Sequence, residues 1–269
     1  MDRISHVAQQ ITELYIAPYG DTLKATWTGL AFVTFGILSS GVLKASYGRH
    51  YSKNSFFPTV GGKFGWLFQE IFSPLFVYLF FQAYKASGPV LSKGSVLLVL
   101  WLVHYWNRAV YSVVVSPGMT STRLDTVFMA VFFNILNAGW CGHDLGQANA
   151  EPLLLTPRTL SGLALFALGM TINISSDAHL RSLRRQKGKR GEYVLPEWGL
   201  FKYILSPNYA GEMLEWTGFA ILLGRESGWA FVIWTVCNFA PRARTNLAWY
   251  KEKFGAKVGN RTVIIPGVY

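Results

Sequence analysis

The stretch from Ser206 to Trp216 reads Ser-Pro-Asn-Tyr-Ala-Gly-Glu-Met-Leu-Glu-Trp and sets Asn208, Glu212 and Glu215 at the mouth of an apolar run that continues to Leu223. Pro207 fixes the backbone ahead of a helix, so Asn208 is placed to cap it. Glu212 and Glu215 are three residues apart and share a helix face. Carboxylates at the lip of a membrane-grade helix are costly unless paired, which points to a site; a capped helix whose acids face water fits the spacing equally well. Four further groups interrupt apolar sequence. Trp66-Leu67-Phe68-Gln69-Glu70 opens one run, and His104-Tyr105-Trp106-Asn107-Arg108 breaks another near its middle, with Tyr111 one turn on. Asn173, Asp177, Arg181 and Arg184 follow at spacings of four, four and three, one polar stripe on one helix face. Arg242, Asn246 and Tyr250 recur every four residues.

Arginines, asparagines and tyrosines gathered on one side suit a ligand that carries phosphates and an amide. An apolar cavity behind them, lined from Trp66 and Phe68, suits a lipid-soluble substrate. No Gly-x-Gly-x-x-Gly fingerprint or P-loop lysine is present, so a nucleotide would be held by side chains of the bundle. Each group also has a plain structural reading. Tyr105 and Arg108 fit interhelical hydrogen bonding, the Asp177–Arg184 stripe a solvated helix end, and Arg242 with Arg244 a pair of membrane anchors. The sum favours a site: four helices bring polar groups to one side at buried depth, and a charge in a span costs ~2.5 kcal/mol or more.

The elements that must position these groups are membrane helices. Only 14% of the 269 residues are charged and 51% are hydrophobic, against about 25% charged in a soluble domain. Seven apolar runs, 22–44, 66–84, 95–115, 124–141, 160–176, 209–223 and 227–249, approach the ~20 residues of a span. The fold class expected is therefore all-α, a single polytopic bundle of about seven transmembrane helices over 22–249. An amphipathic segment precedes it in 1–21, where Ile4, Val7, Ala8, Ile11 and Leu14 repeat at helical spacing, and a tail follows in 250–269. Gly224-Arg225-Glu226 is too short a link for anything but an antiparallel hairpin.

The formal charge of +11 lies in clusters between the spans, the pattern of membrane-side loops rather than of nucleic-acid binding. Arg49, Lys53 and Lys63 share one loop; Arg181, Arg184, Arg185, Lys187, Lys189, Arg190 and Lys202 share another; Lys251, Lys253, Lys257 and Arg261 follow the last span. An odd number of spans with the N-terminus outside puts all three in the cytosol, with Lys85 and Lys93 as the weak exception. Cys141 and Cys237 are isolated and read as reduced packing thiols, and no metal-ligand spacing occurs.

With these residues in view the chain resembles the steroid 5-alpha-reductase family of membrane enzymes. The likeness runs from Tyr47-Gly48-Arg49-His50 to Pro266. It is densest in Asn173-Ile174-x-Ser176-Asp177, Glu192-Tyr193-x-x-Pro196, Gly199-Leu200-Phe201 and Asn208-x-x-Gly211-Glu212-x-x-Glu215-Trp216. The resemblance implies NADPH-dependent reduction of a carbon–carbon double bond conjugated to a ketone. It implies that Glu70 and Tyr105 polarise the carbonyl, with Glu70 protonated, and that Tyr47, Trp66 and Gln69 lie near the substrate. Cofactor contacts would fall on Arg108, Tyr111, Asn173, Asp177, Leu180, Arg184, Tyr193, Asn208, Glu212, Arg242, Asn246 and Tyr250. The chain departs from the family at Asn246, where the family has histidine, and at Val115-Ser116-Pro117-Gly118, where basic residues often stand. The substrate expected is a steroid or another apolar enone lipid, in contact with membrane lipid. Reductases of enoyl-CoA or polyprenol-type lipids and a non-catalytic lipid-binding bundle are the alternatives. The endoplasmic reticulum would be the site of a eukaryotic member and the inner membrane that of a bacterial one.

Overall fold

The structure, a computed structural model, describes residues 6, 10, 20–41, 57–186 and 193–268. Seven helical segments follow one another among these residues: α1 (Gly20–Ser39), α2 (Gly62–Tyr84), α3 (Lys93–Tyr105), α4 (Leu124–Gln147), α5 (Pro157–Gln186), α6 (Pro207–Leu223) and α7 (Glu226–Phe254). They fall where the seven apolar runs were predicted. α3 runs on through a π-helical segment, Trp106–Tyr111, into a last α-turn, Ser112–Val115. The described strands are β1 (Thr59–Val60) and β2 (Thr122–Arg123), an antiparallel pair in which Thr59 faces Arg123 and which clips the start of α2 to the start of α4.

Four stretches are long and apolar enough to cross a membrane: Gly62–Tyr84, Lys93–Val115, Leu124–Ala150 and Pro157–Arg185. The expectation of about seven spans is met by four on that measure, while α1, α6 and α7 are helical and packed into the same bundle. Phe128, Met129 and Phe132 on α4, Val99 and Val103 on α3 and Leu168 on α5 stand exposed on the outer surface. A soluble protein does not leave such a belt in water, and this one is a membrane protein.

Two helix pairs pack with their backbones nearly touching, α5 against α6 and α2 against α4. In α5–α6 a methyl group at Gly169 would lie 2.3 Å from the Glu215 nitrogen, and one at Gly211 would lie 2.6 Å from the Asn173 nitrogen. In lipid, where the hydrophobic effect does not drive helices together, such small residues let van der Waals contact do so. This contact fixes Asn173 against the helix that carries Glu212 and Glu215. α6 then stops at Gly224, whose positive φ of 66° closes the turn, and α7 returns antiparallel as the short link predicted. Between the pairs lies an aromatic core: Trp216 sits 5.0 Å from Trp101 and 4.4 Å from Phe231, ring centre to ring centre. Cys141 and Cys237 are buried free thiols, as expected.

Three sequence expectations are corrected or fall outside. Asn208 does not cap α6: Ser206 holds the cap position without a side-chain bond, and Asn208 lies one residue inside the helix with its amide turned elsewhere. Phe68 does not line a cavity but stands exposed in a ladder with Phe64 and Phe72, at 5.2 and 5.4 Å. Two residues along a helix is a turn of about 200°, so a face that turns Trp66 and Glu70 inward turns Phe68 outward. The amphipathic repeat of the N-terminal segment, Tyr47, Arg49, Lys53, Lys187, Lys189, Arg190 and Glu192 lie outside the described residues.

Candidate active site

Arg108 is the branch point of a polar cluster assembled from four helices. Its Nε donates to Glu70 Oε1 on α2 at 3.1 Å, and its Nη1 donates to Glu212 Oε2 on α6 at 2.8 Å. Trp66, one turn before Glu70, donates its indole N–H to the Arg108 carbonyl at 3.1 Å and lies under the guanidinium, 5.1 Å from Cζ to ring centre. That carbonyl also accepts from the Ser112 hydroxyl. Both bonds fall within the π-helical stretch, where the regular i to i−4 ladder is broken and a carbonyl is free to take other donors.

From Glu212 the network continues into α5. Asn173 Nδ2 donates to the Asn208 carbonyl at 3.0 Å and reaches Glu212 Oε2 at 3.4 Å, while Asn208 Nδ2 donates to Asp177 Oδ1 at 3.1 Å. Glu70, Trp66, Arg108, Asn173, Asp177, Asn208 and Glu212, seven of the residues singled out in the sequence, are thus joined in one chain of contacts. The solvated-helix reading of the two glutamates is excluded, because Glu212 and Glu215 are buried.

Tyr105 stands beside this cluster, buried to 4% exposure. Its ring stacks on Trp101 at 5.6 Å and lies 6.2 Å from Trp216. The Trp101 indole is itself held by the Ser73 hydroxyl, which accepts from it at 3.2 Å. A phenol held by rings on its flanks is positioned before any ligand arrives, as a hydrogen-bond donor must be.

The remaining expected residues are distributed around the cluster. Gln69 is buried, but its side-chain amide folds back on the Gly65 carbonyl at 3.0 Å, and its backbone carbonyl accepts from Asn134 Nδ2 at 2.6 Å. Tyr111 lies half exposed with Arg181 over its ring at 5.9 Å, Arg184 is exposed on the same helix as Arg181, and Leu180 on that helix is half-buried. Asn246 reaches Ser206 Oγ at 3.4 Å, beside the start of α6, and Arg242 is half-buried one turn earlier on α7. Tyr193 and Tyr250 both pack edge-on against Trp249, at 4.8 and 5.1 Å, and Tyr250 is buried in a small satellite core with Leu195, Leu205 and Val258. Carboxylates, amides and the Arg108 guanidinium therefore lie inside, and Arg184 is exposed outside them.

Sequence reasoning passed over one pair. His104 Nδ1 lies 2.8 Å from Glu215 Oε1, both side chains fully enclosed, with His104 Nε2 and Glu215 Oε2 left without a hydrogen-bond partner. The signal was in hand, since His104 precedes Tyr105 and Glu215 lies one turn after Glu212. What the spacing did not convey is that α3 and α6 press these two together behind the arginine cluster.

An apolar-belted helical bundle that buries charge in its interior is a membrane protein with a polar internal site. The comparisons with known proteins give the family. Residues 120–269 match the family model described as 3-oxo-5-alpha-steroid 4-dehydrogenase. The chain is 36% identical over 241 residues to the mouse (Mus musculus) 3-oxo-5-alpha-steroid 4-dehydrogenase 1, covering 88% of this chain and 92% of that one. It is 34% identical over 253 residues to the steroid 5-alpha-reductase DET2 of Gossypium hirsutum, covering 91% and 92%. The chain belongs to the 3-oxo-5-alpha-steroid 4-dehydrogenase family, and it is an oxidoreductase acting on CH–CH bonds.

Proposed function

We propose that this protein reduces the C4–C5 double bond of 3-oxo-Δ4 steroids to 5-alpha products, with NADPH as reductant. The observation that carries the reading is the buried phenol of Tyr105 set beside the Glu70–Arg108–Glu212 cluster within an aromatic wall. The site suits the cofactor. Asn173, Asn208, Asp177 and Glu212 offer the donors and acceptors that a carboxamide needs, Arg181 and Arg184 offer cations for phosphates, and the half-buried Arg242 offers a third. Tyr111, Leu180, Tyr193, Asn246 and Tyr250 would frame its outer part. When bound, the cofactor supplies the hydride to the carbon β to the ketone.

The chain's own residues do the rest. As the double bond is reduced, negative charge develops on the carbonyl oxygen, and the Tyr105 hydroxyl donates a hydrogen bond to it in a site from which water is excluded. Glu70 serves as a second donor and must carry a proton to do so, because an ionised carboxylate only accepts. Trp66, Gln69 and Tyr47 bound the substrate, and the α carbon takes its proton from solvent. The protein sits with its N-terminus outside or lumenal and its basic loops in the cytosol, in the endoplasmic reticulum of a eukaryote or the inner membrane of a bacterium.

The test is NADPH oxidation by the purified chain in lipid nanodiscs over a panel of a 3-oxo-Δ4 steroid, an enoyl-CoA and a polyprenol-type enone. Turnover of the steroid with a 5-alpha product is expected. Turnover confined to the CoA thioester, or none with any member, rejects the reading.

A further inference from the structure

Tyr105 is boxed by three rings, and two of them are held by a hydrogen bond to a neighbouring helix. Trp101, Trp216 and His104 lie 5.6, 6.2 and 4.9 Å from its ring, centre to centre. Trp101 is tied to Ser73 on α2 at 3.2 Å, and His104 to Glu215 on α6 at 2.8 Å. Resting on the proposed steroid reduction, we propose that His104 is a positioning residue for that reaction. Its bond to Glu215 sets the register of α3 against α6, and with it the place of the Tyr105 phenol.

The contacts between these two helices form rungs. Along α3, Trp101, His104 and Arg108 meet Phe219, Glu215 and Glu212 in turn on α6, so the helices run antiparallel. The rungs differ in burial: the His104 and Glu215 side chains are 3% and 0% exposed, that of Arg108 20%. The Arg108 rung is open to water, and its guanidinium is divided between Glu212 and Glu70. The contacts of Trp101 with Trp216 and Phe219 are broad, and paired rings accept several offsets and tilts. A hydrogen bond, by contrast, weakens steeply once its angle is lost. The His104–Glu215 rung is therefore the sealed and directional one.

Nothing else in the backbone seats α3 on α6. The two glycines of α6, Gly211 and Gly218, both face α5, and Gly94 of α3 faces the end of α4. The spacing of α3 from α6 is thus left to side chains. His104 Nε2 and Glu215 Oε2 have no hydrogen-bond partner, a cost that an apolar pair of similar volume would not carry. What a buried polar pair adds is selectivity of alignment: a slip of one turn would leave both groups unpaired in an apolar interior. The same slip would carry Trp216 off the His104 ring, which it meets at 4.6 Å, and open the box around Tyr105. The bond forms whichever of the two groups holds the proton, so the role is one of geometry.

The test is single-turnover reduction of a 3-oxo-Δ4 steroid by the full chain in nanodiscs, with melting temperature measured alongside. Replacing both members, His104→Leu with Glu215→Leu, removes the bond and leaves no partner unpaired, so the protein should melt at or above the wild-type temperature. Its rate should nevertheless fall about 10²-fold, the loss that a displacement on the order of an ångström can bring. His104→Asn, whose amide nitrogen takes the place of Nδ1, should recover most of that loss. On a Tyr105→Phe background the leucine pair should cost no more than about threefold further, because the group it positions is gone. A leucine pair at the wild-type rate, an equal loss on both backgrounds, or a His104→Asn variant as slow as the leucine pair would each overturn the inference and leave the proposed function standing. A leucine pair that does not fold would assign the bond to stability and overturn it too. A wild type that reduces no steroid would remove both.

Discussion

The two ends of the bundle hold the same kind of contact to different effect. At the far end Glu151 accepts from Lys93 and from Arg225, each at 2.8 Å, and thereby ties the start of α3 to the α4–α5 and α6–α7 links. At the site end Arg108 meets Glu212 at the same 2.8 Å. The Glu151 side chain is 43% exposed, whereas that of Glu212 is 8% exposed. Water screens the first network and replaces its partners when one is lost; nothing replaces Arg108. Equal distances therefore separate a lacing of loops from a site whose charges depend on one another.

Substitutions can break this comparison. Arg108→Ala should have the largest effect, costing about 3–5 kcal/mol because two buried carboxylates lose their counter-ion; Arg225→Ala should cost less than about 1 kcal/mol. Thermal unfolding of both in the same nanodiscs checks the pair, and equal losses would remove the distinction drawn between the two ends. Tyr105→Phe should lower turnover ~10²–10³-fold with stability and NADPH affinity unchanged. Unchanged single-turnover rates would strip the phenol of its donor role. Gly169→Ala should cost about 1–3 kcal/mol, since the added methyl meets the Glu215 backbone and the helices must part. If its melting temperature matched the wild type's, the close α5–α6 contact would not be what holds Glu215 in place.

The smallest effect should come from pH at the far end. Partial burial pushes the Glu151 carboxyl up, but its hydrogen bond to Lys93 and the charges of Lys93 and Arg225 outweigh that and hold it below its ordinary value. A carboxyl lowered in the folded state adds stability above its ordinary value and loses it as pH falls through the lowered one. Acid should therefore destabilise the wild type slightly more than Glu151→Gln over that window, as read from melting temperature against pH. Parallel curves would leave Glu151 with no measurable part in acid sensitivity.

Much of the site was legible because helix periodicity is local. The spacing of Asn173 and Asp177 already put them on one face, and the structure joins both to the cluster through Asn208. Arg108 was legible as a residue out of place in an apolar run, but its partners were not, since Glu70 lies 38 residues before it and Glu212 104 residues after it. The His104–Glu215 pair was missed for the same reason, and Asn208 was misread because a cap motif describes a helix end in isolation. Here Asp177, on the neighbouring helix, captured the amide.

By itself the sequence determined that the chain is a bundle of apolar helices, where those helices lie, and which of their faces are polar. These follow from transfer free energy and from a 3.6-residue period, both properties of a segment and its solvent. Only the tertiary structure decided which carboxylate shares which cation, that Phe68 faces out, and that His104 and Glu215 are sealed together. Pairings of that kind depend on which helices the glycine contacts bring within a few ångströms, and no segment carries that information alone.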